Sequence, residues 1–126
     1  MSELYININW IAVLTSTVLA FGLGGLWYSP RMFGPRWARG SGLQVVKGHP
    51  VNALIVQLVG TFFMAWLIGI GIEANAYGAT GLIILTIATV LAGGCLFSQK
   101  NGEATLIEFG FVLVNGAIMV ACQLLL

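Results

Sequence analysis

Four long apolar runs, roughly residues 8 to 28, 51 to 72, 79 to 97 and 105 to 125, take up most of the chain, and polar residues gather in the segments between them. Each run is near the ~20 residues that an α-helix needs to cross the hydrocarbon core of a bilayer. None contains a Lys or Arg. A helix satisfies its own backbone hydrogen bonds, which hydrocarbon cannot do, so such runs form helices rather than open strands. The pattern predicts an all-α fold over residues 1–126: one domain, an integral membrane four-helix transmembrane bundle. Composition agrees, because 59% hydrophobic and 7% charged residues is far from the ~25% charged of a soluble domain.

The segment after the first run is the most distinctive. It reads Trp27-Tyr28-Ser29-Pro30-Arg31-Met32-Phe33-Gly34-Pro35-Arg36-Trp37. Pro30 is expected to stop the first helix, and Pro35 suits the first position of a new one. A short interfacial helix between the first and second spans is therefore predicted. Trp27, Tyr28 and Trp37 favour the headgroup region because each joins an apolar ring to a polar tip, while Arg31, Arg36 and Arg39 reach toward phosphates. Gly40-Ser41-Gly42 reads as a flexible turn, and Lys47-Gly48-His49-Pro50 leads into the second span.

Charge position sets orientation. Arg31, Arg36, Arg39 and Lys47 lie between the first and second spans and Lys100 between the third and fourth, whereas Glu3 and Glu73 are the only charges in the N-terminal tail and the middle loop. Both basic loops are expected in the cytoplasm, with the two chain ends together on the outer side. A cleaved signal peptide carries its positive residues before the apolar run. Here they follow it, so the first helix is expected to remain.

Small residues mark packing faces. Ala12, Ser16, Ala20 and Gly24 recur every four residues along the first span, which lets a second helix approach closely, either within the bundle or between copies. Thr86, Thr89 or Val90, and Gly93 form a similar stripe on the third span. Cys95 and Cys122 fall near opposite ends of their helices, roughly 20 Å or more apart in depth, too far for a disulfide within the chain. Both read as small packing residues.

The polar positions inside the spans are the candidate chemistry. Glu108 sits about one turn inside the fourth span, and Asn115 and Cys122 follow at intervals of seven. An ionisable group at that depth is costly unless it pairs, reaches the interface or is protonated. Arg31, Arg36, Arg39 and His49 share its boundary, so an ion pair or hydrogen bond from loop to helix is expected. The sharper alternative makes Glu108 a proton or cation site, with Asn115 further along a path. Gln57 and Thr61, one turn apart on the second span, are placed to hydrogen-bond Asn115 across the bundle.

Trp27-Tyr28-Ser29-Pro30, followed by Phe33-Gly34 and then Trp37, resembles the signature of a bacterial family of small membrane proteins, domain-of-unknown-function family 1761. The chain length and the four spans are similar to that family, as is Leu96-Phe97-Ser98-Gln99-Lys100-Asn101-Gly102-Glu103 ahead of an apolar helix with an early polar position. The likeness covers most of the chain, and the elbow is its specific part. Many members carry an aromatic-rich segment in the third helix where this chain has Val90-Leu91-Ala92-Gly93-Gly94-Cys95. The resemblance implies a multi-pass protein of the bacterial inner (plasma) membrane and implies no activity.

Function is read mainly by elimination. One His, four acidic residues and no nucleophile motif leave no catalytic constellation, so no enzyme activity, metal or cofactor is expected. Nucleic acid is not expected as a partner. The preferred expectation is a membrane protein working through helix contacts, as an accessory subunit of a larger membrane complex or as a homo-oligomer. Two alternatives stay open: a minimal oligomeric carrier or channel using Glu108 and Asn115, and a protein that binds anionic membrane lipids through Trp37, Arg36 and Arg39.

Overall fold

The computed structural model describes residues 4–29, 31–41 and 51–126. The expectations on Glu3, Pro30, Gly42, Lys47, Gly48, His49 and Pro50 lie outside the described residues. The described chain forms five helices: α1 (Trp10–Trp27), α2 (Gly34–Gly40), α3 (Val51–Glu73), α4 (Tyr77–Phe97) and α5 (Gly102–Leu125). All but α2 are long and apolar enough to cross a membrane. The protein is a multi-pass membrane protein, an all-α bundle with a short helix between its first two spans.

Local chemistry sets the ends. The Asn9 side chain caps α1 by accepting from Ala12 N at 3.1 Å, and Asn101 caps α5 by accepting from Ala104 N at 2.8 Å. That second cap starts α5 before residue 105, where the apolar run alone would begin it. The C-termini of α3 and α4 share one device. Asn75 (φ 56°) and Gln99 (φ 65°) adopt the left-handed conformation. Ala76 N then donates to Gly71 O, and Lys100 N to Cys95 O, closing Schellman motifs that satisfy the last carbonyls. The second of these folds Lys100 back over the end of its own helix.

Helix α5 is the hub, packing against all four others. Its buried residues include Ala104, Ile107, Phe111, Asn115 and Met119, a face repeating every three or four residues. Close approach is obtained with glycine. A Cβ on Gly116 would lie 2.6 Å from Ile84 Cγ2, and one on Gly24 would lie 3.1 Å from Phe111 Cζ. On α1, Ala12, Ser16 and Ala20 are fully buried, so that face packs within the chain. Val90 and Thr86 on α4 point outward.

The apolar core joins Ile8, Val13, Ala20, Ala65, Ile68, Ile84 and Met119. At that end Trp10 stacks obliquely on Trp66, ring centroids 5.2 Å apart, and Trp66 Nε1 donates to Leu4 O at 2.6 Å. Helix α3 joins the bundle only through its second half. Residues 51–60 are exposed without exception, and burial begins at Thr61.

Candidate functional site

The elbow between α1 and α2 folds onto the start of α5. Ser29 O accepts from Gly34 N at 3.1 Å, and Trp27 O accepts from Phe33 N at 3.0 Å. This turn runs so close to Gly34 that a Cβ there would collide with the carbonyl oxygens of Tyr28 and Ser29. Pro35 then sits in the first turn of α2. At the far end of α2, the carbonyl of buried Gly40 accepts from Asn101 N at 2.9 Å. Any side chain at residue 40 would overlap Asn101 and Ala104. Asn101 thus holds α2 with its backbone while its side chain caps α5.

Aromatic rings fill the space beneath. Trp27 lies 4.7 Å from Phe33 and 6.1 Å from Phe111, and Tyr28 meets Trp37 at 5.1 Å and Phe111 at 5.2 Å, both edge-on. Trp27 Nε1 donates to Ile107 O at 3.1 Å. These rings, each half-buried, pack against one another and, through Trp27 and Tyr28, against Phe111 of α5. Trp37 Nε1 is buried and has no hydrogen-bond partner.

Under α2 lies the polar cluster. Lys100 Nζ donates to Glu108 Oε2 at 3.1 Å, with side chains only 22% and 13% exposed. The buried Cys95 Sγ donates to the same oxygen, and the Trp37 ring covers the ammonium, with Nζ 5.5 Å from its centroid. Each member answers a need of another: the carboxylate neutralises the ammonium, and the ring faces its positive charge favourably. Glu108 is paired as the sequence requires of a charge at that depth, but its partner is the lysine of the α4–α5 turn. The arginines do other things. Arg36 approaches Glu103 at 3.7 Å, and Arg31 and Arg39 are exposed.

The remaining predicted polar residues do not assemble. Thr61 Oγ1 donates to Gln57 O at 2.7 Å, inside its own helix. Gln57 itself is exposed. Asn115 is 4% exposed and its Oδ1 has no partner, so the expected bonds from Gln57 and Thr61 to Asn115 are not formed. Gln57 lies in the exposed first half of α3, and the Thr61 hydroxyl is taken up by its own helix. Both cysteines are free thiols, Cys95 buried and Cys122 half-buried.

Sequence reasoning missed Cys95 as a member of the cluster, and Lys100 as the partner of Glu108. It also missed Gln123, whose buried Nε2 lies over Gly69 without a partner. The usable signal for Lys100 was its isolation as the one cation between the third and fourth spans. Among the described residues no three His, Cys, Asp or Glu side chains gather as a metal site. On the flank of the elbow an open groove of ≈ 210 Å³ is lined by Trp27, Phe33, Leu106 and Ile107, with Arg36 and Glu103 at its edge.

The chain belongs to the family described as proteins of unknown function, DUF1761, whose family model matches residues 11–123. Neither the curated proteins nor the solved structures give a match to the chain.

Proposed function

We propose that this DUF1761 protein works through helix contacts in the membrane, as an accessory subunit of a larger assembly or as a homo-oligomer, without catalysis of its own. The reading rests on α3, whose residues 51–60 are exposed all round and include Gln57. A rise of 1.5 Å per residue puts Gln57 roughly 9 Å into the helix, where a free amide facing lipid is unfavourable and a neighbouring helix can satisfy it. The outward Thr86, and Gly93, beside which a Cβ would meet open space, offer a further surface for close approach. By the positive-inside rule Arg31, Arg36, Arg39 and Lys100 lie in the cytoplasm and both chain ends outside; the bacterial plasma membrane is the setting that the family resemblance implies.

Extraction in mild detergent followed by mass measurement of the intact particle tests this reading. We expect more than one chain, or this chain with a partner, and dissociation on Gln57→Leu. A monodisperse single-chain particle that Gln57→Leu leaves unchanged would overturn it.

One observation favours a second reading, an oligomeric carrier or channel. Asn115 Oδ1 is buried mid-span with no partner, as a group awaiting a passing solute or proton would be. Glu108 is less well suited, because Lys100 already holds it. A proteoliposome flux assay comparing the native chain with Asn115→Leu decides the matter, and absence of flux from the native chain rejects a carrier.

A further inference from the structure

The open groove beside the elbow combines an apolar floor with a charged edge. Its floor is apolar, made by Trp27 and Phe33 from the elbow and by Leu106 and Ile107 from α5, and its edge carries Arg36 and Glu103. The two charged groups stand 3.7 Å apart with their side chains 62% and 52% exposed. A pair so exposed contributes little to folding. It therefore exchanges partners easily.

We propose that this groove binds one zwitterionic phospholipid, with Arg36 on the phosphate, Glu103 on the ammonium and the upper part of an acyl chain against Leu106 and Trp27. Three considerations carry the assignment. The groove sits where the first span ends and the last begins, so the molecules that lie against it in a membrane are lipids. At ≈ 210 Å³ and open to its surroundings, it is smaller than the roughly 300 Å³ at which pockets for whole small molecules begin, and it suits a segment of acyl chain. A cation and an anion side by side complement a headgroup that also carries both signs. A guanidinium matches phosphate with two parallel N–H donors, and an ethanolamine ammonium supplies N–H donors for the carboxylate. An anionic lipid would satisfy Arg36 but leave its charge beside Glu103.

This inference is independent of the subunit reading, since a lipid can bind a monomer or an oligomer alike. The test reconstitutes the full chain in vesicles of equal phosphatidylethanolamine and phosphatidylglycerol, extracts it mildly and counts retained lipid by native mass spectrometry. The expected result is one phosphatidylethanolamine, favoured about fivefold over phosphatidylglycerol, the ceiling an exposed ion pair sets. Glu103→Gln should reduce that preference to parity or reverse it, and Arg36→Gln should lose both lipids. Equal or greater retention of phosphatidylglycerol by the native chain overturns the proposal, as does absence of retained lipid or an unchanged preference in Glu103→Gln. Should Glu103→Gln fail to fold, the ratio measured on the native chain decides alone.

Discussion

Removing the ammonium from the elbow cluster tests how far that cluster holds α2, α4 and α5 together. Lys100 Nζ and Glu108 Oε2 are 3.1 Å apart, which at an effective dielectric of about 20 gives a gross attraction of about 5 kcal/mol. Withdrawing both groups from water takes back most of it. In Lys100→Met the carboxylate keeps only the Cys95 thiol, and the cost should be about 2–4 kcal/mol, below that of a fully buried broken pair because some water still reaches both groups. Glu108→Gln keeps an acceptor for Cys95 and leaves a lysine able to snorkel, so about 1 kcal/mol is expected. The double variant lacks both charges and should be more stable than the sum predicts by about 1–2 kcal/mol. Reversible unfolding in mixed micelles measures all four corners of the cycle. Additivity within about 0.5 kcal/mol would refute the coupling.

Two further substitutions probe the close approaches that set the bundle. Gly40→Ala places a methyl group against Asn101 and Ala104, and should cost about 1–3 kcal/mol by displacing α2 and disturbing the cap of α5; faster hydrogen exchange at residues 34–41 checks it. Gly116→Ala forces Ile84 away, with a loss of about 1–3 kcal/mol that a drop in thermal midpoint would record, whereas Gly22→Ala, which meets nothing, should hold the midpoint or raise it slightly through helix propensity.

The spans and the short helix were legible because their causes are local. An apolar run without Lys or Arg dictates a helix in lipid wherever it occurs, and Pro35 acts on the few residues around it. The stripe of small residues on α1 marked a face of close approach, but left open whether that contact lay within the bundle or between copies. The partner of Glu108 was not legible. Lys100 is eight positions away along the chain, outside the three- or four-residue spacing that joins neighbours on one helix, and it reaches the carboxylate only because Gln99 adopts the left-handed conformation. The sequence has no glycine at that position to announce such a turn. Trp27 and Tyr28 were similarly ambiguous, because a ring suited to the headgroups is equally suited to packing against Phe111.

The amino-acid sequence alone determined that the chain crosses a membrane through four helices, and where each begins and ends to within a turn, because hydrocarbon leaves the backbone of a long apolar run no other stable choice. Only the tertiary structure decided which way each helix turns its side chains. Inner and outer faces are equally apolar in lipid, so no periodic contrast separates them. Rotation therefore depended on where glycines allow contact and where a few polar groups find partners. Those choices brought Cys95, Lys100 and Glu108 under α2, sealed Asn115 inside, and left Gln57 facing out.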